Sequence, residues 1–237
     1  MKPATNAKRT FEKTKMLIVE SGPSTKVSHG TVADLETFMK SGDLFIVNTA
    51  STLPARFRGK IRRSGEEIEV RLAAFIGKSS RDLRQWSAVS FGAGDWRLPT
   101  EQRALPPSLM QDDVVEISVD LNLKVQRVDP RSPRLIEIEF GSPNLVRDLY
   151  REGRPIQYSY HEDELAVWDQ QTVFHGPPVS VEPPSAAFPL TWSLILKMKA
   201  LGITISPIVH KAPQQAPNKT DGADKKGEDK KEAKDKS

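Results

Sequence analysis

The 237-residue chain has 35 Lys and Arg against 31 Asp and Glu, a formal net charge of +4, and no cysteine. The absence of cysteine excludes disulfides and thiolate chemistry, and the four histidines lack metal-ligand spacing, so we expect no metal site. The basic N-terminus has no apolar signal segment and no later run approaches transmembrane length, so we expect a cytoplasmic protein that does not bind membranes.

The first fifty residues predict a strand, a helix and a second strand. Met16 to Val19 is a short apolar run that ends in a turn. From Thr31 to Met39 apolar residues recur at helical spacing, which predicts a helix. Leu44 to Val47 is continuously apolar, which predicts a strand covered on both faces, as in an α/β layer.

A polar segment, residues 48–56, follows this strand directly. Loops at strand ends often carry functional sites. Its Asn, Ser and Thr side chains also suit an ordinary capped turn, which the residues alone favour.

From Pro54 to Phe140 apolar and polar residues alternate with period two over most of the stretch. Three runs show the alternation, with apolar residues at 68, 70 and 72, at 115, 117 and 119, and at 136, 138 and 140. The pattern predicts strands with one buried and one wet face, and therefore an antiparallel sandwich or small barrel inserted into the first domain.

At the entry to this module, Arg56, Arg58, Lys60 and Arg62 share one parity. An unbroken strand would line them along one face about 7 Å apart, a spacing comparable to that of nucleic acid phosphates. A contact with an RNA backbone and an ordinary solvated strand face are equally compatible with this pattern.

The remaining chain predicts two helices, a loop and a strand. Ser142 is expected to cap a helix that runs through Tyr150 and stops at Gly153. A second helix carries an apolar stripe from Leu190 to Leu201, and a strand over residues 203–209 ends at His210. Residues 212–237 are almost devoid of apolar side chains, which predicts a disordered charged tail.

Residues 170–191 contain five prolines, which predicts a rigid, extended loop that leads into the second helix. Such a loop can aim main-chain donors and the positive end of the helix at an anionic or polar ligand. A proline-stiffened connection is the alternative, and composition alone favours it.

Three blocks in order resemble the S-adenosylmethionine:tRNA ribosyltransferase-isomerase family of queuosine biosynthesis. They are G-D-L-F-I-V-N-T-A-S-T-L-P-A-R (42–56), Q-T-V-F (171–174) and P-S-A-A-F-P-L-T (184–191), against the family patterns N-D-T-R-V-x-P-A-R, Y-Q-T-V-Y and P-T-A-G-L-H-F-T. The chain departs from these patterns at Thr49, Ser51, Ala187 and Pro189, as a divergent paralogue would. His210 resembles a family histidine that precedes a glycine-rich turn and a long C-terminal segment, and the lysine-rich tail stands in place of that segment.

The resemblance implies a multidomain α+β or α/β fold. Residues 1–54 and 142–211 are expected to form two parts of an α/β domain that is truncated relative to the family. Residues 55–141 are expected to form the inserted antiparallel β-barrel-like domain, and residues 212–237 the disordered tail.

The resemblance also implies transfer and isomerisation of the ribosyl group of S-adenosylmethionine onto 7-aminomethyl-7-deazaguanine in tRNA. S-adenosylmethionine is then a substrate, tRNA is the partner, and no metal is needed. His210 and Glu182 are candidate bases for removing the proton next to the sulfonium. The expected substrate-binding residues are Asn48, Pro54, Arg56, Gln171, Thr172, Phe174, Pro184, Ser185, Ala186 and Thr191. The expected RNA-backbone contacts are Arg58, Lys60 and Arg62.

Two other interpretations fit the sequence. The chain could be a catalytically inactive, truncated paralogue that binds RNA or another partner. A frameshift could also have replaced the family's C-terminal segment with the charged tail.

Overall fold

The computed structural model describes residues 11–79 and 81–210. Its strands are β1 (Lys15–Glu20), β2 (Lys26–Thr31), β3 (Leu44–Asn48), β4 (Arg56–Ile61), β5 (Glu67–Phe75), β6 (Gln85–Phe91), β7 (Val114–Glu116), β8 (Asn122–Val128), β9 (Leu135–Gly141) and β10 (Thr204–Ile208). Its α-helices are α1 (Leu145–Glu152) and α2 (Trp192–Ala200). Short 3₁₀ helices cover Phe11–Lys13, Val32–Phe38, Thr100–Gln102, Val167–Gln170 and Ser185–Ala187.

The predicted β module is a closed antiparallel barrel with the strand order β4-β5-β6-β9-β8-β7. Alternate residues of each strand point inward, as the period-two pattern predicts. The interior is apolar and includes Phe57, Leu72, Trp86, Ile138 and Phe140, each at most 1% exposed. The barrel therefore has its own core, with which Leu145 and Leu149 of α1 are continuous.

The outer face of the barrel is not uniformly wet, and here the sequence prediction is wrong. Glu69 and Arg71 on β5 are 2% and 1% exposed, because the chain after β6 folds back over this face and Arg103 reaches Glu69. Val119 was predicted to lie on the buried face of a strand, and it does not. β7 ends at Glu116, and Val119 lies fully exposed in the turn before β8.

Outside the barrel, β3 pairs in parallel with β10, so residues 49–203 connect two neighbouring parallel strands. α2 and the 3₁₀ helix Val32–Phe38 pack beside them, and Val47, Leu194, Met198 and Ile203 belong to the small core that they enclose. The prediction that β3 is covered on both faces is wrong, since Leu44 and Ile46 are 60% and 57% exposed. Within the described ranges β3 has one strand partner, and the helices cover one face of the pair.

The segment predicted as a helix over 31–39 forms a 3₁₀ helix instead. The carboxylate of Asp34 turns back to accept hydrogen bonds from the amide and hydroxyl of Thr31, at 2.8 and 2.9 Å. Strand β2, which precedes it, was not predicted. Its residues are mostly exposed, so it lacks the alternating burial that makes a strand recognisable.

Both predicted α-helices form, with one shifted start. α1 begins at Leu145 rather than after Ser142, although the Ser142 hydroxyl accepts the amide of Asn144 and donates to the carboxylate of Asp148. Gly153 ends it as predicted. α2 is capped by Thr191, whose hydroxyl accepts the amide of Leu194 at 3.3 Å.

The tail predicted over 212–237 lies outside the described residues. None of the helices in residues 11–79 and 81–210 combines the length and apolarity that a membrane span requires.

Candidate functional site

Asn48 is the last residue of β3, and its amide side chain joins the ends of β3 and β10. Its Oδ1 accepts the backbone amides of His210 and Ala50, at 3.0 and 3.1 Å. Its Nδ2 donates to the carbonyl of His210 at 3.0 Å. Asn48 therefore fixes both the loop after β3 and the position of His210, which are 162 residues apart in sequence.

The loop after β3 is bound along its length to the proline-rich segment. The amide of Ser51 donates to the carbonyl of Pro177, and its hydroxyl donates to the carbonyl of Gly176. The amide of Leu53 donates to the carbonyl of Ser180, and Thr52 and Ser180 form a parallel bridge. The two segments thus form a strand-like pair, which we call the junction (residues 48–54 and 170–181).

Gln171 and Thr52 fix the register of the junction. The Gln171 Oε1 accepts the amide of Thr52 at 3.1 Å, and its Nε2 donates to the carbonyl of Thr52 at 2.7 Å. The Thr52 hydroxyl donates to the carbonyl of Gln170. Thr52 is fully buried, so these bonds satisfy polar groups that have no access to water.

Other predicted residues of these blocks have structural roles. The Thr172 hydroxyl bonds locally to the amide and carbonyl of Phe174. Phe174 packs against the core that also contains Val47 and Ala187. Pro54 is buried where the loop enters β4. The structure therefore brings the first two sequence blocks into direct contact.

The third block joins them through the same apolar core. Ser185 and Ala186 are exposed in a single 3₁₀ turn, and Pro184 is half-buried at its start. The Thr191 hydroxyl caps α2, so it has a hydrogen-bond partner within the protein and needs no ligand. Ala187 belongs to the apolar core against which Phe174 packs, so the third block and the junction share this core.

The two candidate bases differ in their surroundings. His210 is exposed, and its backbone is held by Asn48. Glu182 is half-buried, and its Oε1 accepts the hydroxyl of Tyr158.

Arg56, at the start of β4, does not share the exposed face predicted for the cationic stripe. It is 5% exposed, its backbone pairs with Arg154, and its Nη2 lies 2.7 Å from the carboxylate of Glu164. Glu164 therefore supplies a carboxylate to a buried cation.

Arg58, Lys60 and Arg62 do lie on one exposed face, where they line an open groove of about 1260 Å³. The groove also contains carboxylates. Arg58 pairs with Glu69 at 3.3 Å, and Arg62 pairs with Glu116 at 2.7 Å. The stripe is thus partly neutralised by its neighbours.

Two groups of polar residues were not predicted from the sequence. One group builds the junction, and the other is the cluster on the outer face of the barrel in which Arg71 and Arg103 share the carboxylate of Glu69. Thr52 and Ser180 are buried and bonded, yet a single Thr or Ser in a loop gives no pattern to detect. Glu69 and Arg71 were assigned to a wet face. Burial raises the pKa of Glu69, but Arg71 and Arg103 outweigh that effect, so its pKa lies below the usual value.

The junction offers main-chain and amide groups rather than metal ligands. Within residues 11–79 and 81–210, no three acidic or histidine side chains meet in a way that could hold a metal ion. Asn48 and Gln171 provide hydrogen-bonding groups at the junction. Two titratable residues adjoin it: His210, whose backbone is bonded to Asn48, and Glu182, which follows the junction in the sequence.

Comparison with known proteins shows which family the chain resembles. A family described as "Queuosine biosynthesis protein" matches residues 2–220. The S-adenosylmethionine:tRNA ribosyltransferase-isomerase of Hydrogenobaculum sp. is 26% identical over 187 residues, which cover 77% of this chain and 49% of the relative. That of Thermus thermophilus is 25% identical over 190 residues, covering 80% and 51%. The chain spans about half the length of the curated relatives it matches.

A solved structure, the S-adenosylmethionine tRNA ribosyltransferase of Thermotoga maritima, is similar over 88% of this chain and 54% of that one. The sequence identity is 14% and the TM-score 0.32, values too low to compare the two site geometries.

Proposed function

The chain belongs to the queuosine biosynthesis protein family, and from this premise we propose that it acts as an S-adenosylmethionine:tRNA ribosyltransferase-isomerase-like protein. In this proposal S-adenosylmethionine and tRNA are its substrates, and the ribosyl group is transferred to a 7-aminomethyl-7-deazaguanine base. A tRNA-modifying role would place the protein in the cytoplasm.

The junction is the observation that carries the proposal. Family-like blocks far apart in sequence meet there, through Asn48 with His210 and through Thr52 with Gln171. Positioning of reactants contributes much of the catalysis when no metal or covalent nucleophile takes part. A junction fixed by this many directed bonds is suited to such positioning.

The proposed substrate-binding set comprises Asn48, Pro54, Arg56, Gln171, Thr172, Phe174, Pro184, Ser185, Ala186 and Thr191. Several of these act through the fold, since Thr191 caps α2 and Phe174 packs in the core. Asn48 and Gln171 are therefore the residues whose replacement should report on the site most directly.

His210 or Glu182 would remove a proton from C5′ of S-adenosylmethionine. The adjacent sulfonium stabilises the resulting carbanion, which then attacks the modified base, and adenine and methionine are released as the ring rearranges. Asn48 holds His210 at the end of β10, so its replacement should affect a reaction that depends on this histidine.

Arg58, Lys60 and Arg62 would contact the tRNA backbone along the groove outside the barrel. Their carboxylate partners limit the net positive charge, so we expect a moderate salt dependence rather than a steep one.

For the architecture, we propose that residues 1–54 and 142–211 form one α/β unit and residues 55–141 the inserted barrel. β3 precedes the barrel in the sequence and β10 follows it, yet the two strands pair directly, which supports this division.

Release of adenine from S-adenosylmethionine in the presence of precursor tRNA tests the function. Release that requires both substrates supports an enzyme. Binding of tRNA without adenine release would favour the inactive, RNA-binding alternative. An interaction role has one observation in its support: the exposed apolar face of β3 and β10, which includes Leu44, Ile46 and Ile208.

A further inference from the structure

Arg56 on β4 and Arg71 on β5 stand directly opposite each other in the barrel wall. Directly opposed residues of an antiparallel pair project to the same side, with Cβ atoms about 5 Å apart. Both are buried, at 5% and 1% exposure. Like charges in this arrangement repel, and burial removes the water that would screen them.

Much of the hydrogen-bonding capacity of this pair is unused. Arg71 donates from Nε to Glu69 at 2.8 Å, but its Nη1 and Nη2 are buried without a partner. Arg56 donates from Nη2 to Glu164 at 2.7 Å, but its Nε is buried without a partner. A buried donor on a charged group costs considerable free energy when it is left unpaired, so these atoms are the ones to which a ligand is expected to bind.

The surrounding charges do not balance the pair. Glu69 is shared by Arg58, Arg71 and Arg103, at 3.3, 2.8 and 3.0 Å. Burial lowers the pKa of Arg71; Glu69 opposes this, whereas Arg103 and Arg56 lower it further. The described residues around Arg71 therefore carry an excess of positive charge that an anion would neutralise.

The Arg56 end of the pair is close to solvent. The side chain of Glu164 is 55% exposed, and its carboxylate already occupies one nitrogen of the Arg56 guanidinium. A carboxylate or phosphate that replaces Glu164 would take over its bond to Nη2 of Arg56, next to the unpaired Nε of the same guanidinium.

We propose that Arg56 and Arg71 together bind one oxyanion, either a carboxylate or a phosphate group, which displaces Glu164 from Arg56. Guanidinium groups bind such anions through paired, charge-assisted hydrogen bonds. The inference rests on the unpaired donors, and it holds whether or not the chain transfers a ribosyl group.

Methionine and inorganic phosphate are the probes, with S-adenosylmethionine as a third ligand and sodium chloride as the ionic-strength control. The full chain labelled with ¹⁵N-arginine is titrated with each, and the Nε–H signals of Arg56 and Arg71 are followed. We expect saturable shifts of these two signals with methionine or phosphate, and no saturable shift with chloride. A response to methionine alone assigns the site to an amino-acid carboxylate, and a response to phosphate alone assigns it to a phosphate.

The variant Arg71→Met removes the whole guanidinium, including the unpaired Nη atoms, and keeps only an unbranched apolar chain of the length of the arginine stem. Glu69 keeps Arg58 and Arg103 as partners in this variant, so its carboxylate stays paired and we expect the protein to fold. Affinity for the responding anion should fall about tenfold or more, the loss expected for a charge-assisted bond. Arg131→Met is the matched control, since Arg131 is 83% exposed and pairs with Asp129 elsewhere on the barrel.

Equal affinity of Arg71→Met and the wild type would overturn the proposal. So would unchanged Arg56 and Arg71 signals in the wild type under all three ligands, a result that needs no variant. An absence of adenine release, in contrast, would count against the proposed function and leave these titrations unaffected.

Discussion

Gln171 and Thr52 exchange two hydrogen bonds, in which the side-chain amide of Gln171 pairs with the backbone amide and carbonyl of Thr52 as a neighbouring strand would. This side chain extends the contact between two segments that are 119 residues apart in sequence. The junction therefore depends on an amide that can both donate and accept at this position.

Gln171→Ala should lower the free energy of unfolding by about 1–3 kcal/mol, because it leaves both backbone groups of buried Thr52 without a partner. Urea unfolding measures the change. Gln111→Ala, at an exposed turn, is the control and should stay within about 0.5 kcal/mol of wild type. An equal effect of the two substitutions would show that the junction does not need this bond.

Glu69→Gln should destabilise the barrel by about 3–5 kcal/mol, because it leaves Arg71 and Arg103 buried without their shared carboxylate. The pKa of Glu69 is lowered in the folded state, so its contribution is complete above the unfolded pKa of about 4.3 and is lost as the pH falls through the folded pKa. The difference in stability between wild type and Glu69→Gln should therefore shrink in acid.

Denaturant unfolding at several pH values checks this prediction. Glu67→Gln, an exposed position on the same strand, should leave both the stability and its pH dependence nearly unchanged. A gap between wild type and Glu69→Gln that stays constant from neutral to strongly acidic pH would contradict the assignment.

Lys60→Glu should weaken tRNA binding several-fold and reduce the slope of log K against log salt by about one, if this lysine contacts a phosphate. Binding measured over a salt series gives both quantities. Lys26→Glu on β2 makes the same charge change on another part of the surface and should have the smaller effect. Identical slopes for the two variants would remove the groove from the tRNA-binding surface.

His210→Ala should lower adenine release about 100-fold or more if His210 is the base, and added imidazole should restore part of the rate. We expect Glu182→Gln to have the smaller effect, because the Tyr158 hydroxyl already occupies one carboxylate oxygen of Glu182. Rescue of a Glu182 variant by formate, with a near-normal rate for His210→Ala, would assign the base to Glu182.

The sequence predicts the barrel well, because one-sided burial leaves a period-two pattern at Ile68, Val70 and Leu72 that is hard to mistake. It fails at Glu69 and Arg71, since the pattern records which residues face the barrel interior and not which outer residues a later loop covers. The blocks around Asn48 and Gln171 were found from their likeness to a family. Their pairing through Thr52 was not, because contacts across more than a hundred residues leave no local signal.

We hypothesise that ribosyl transfer takes place at the junction. The most direct test is adenine release from S-adenosylmethionine with precursor tRNA, measured for wild type, Asn48→Ala and Asn144→Ala. Asn144 is the matched control, since it precedes α1 without a side-chain capping bond. Wild type and Asn144→Ala should release adenine in a tRNA-dependent way, and Asn48→Ala should release it about 100-fold or more slowly. Equal release by all three proteins, or none from the folded wild type, would contradict it.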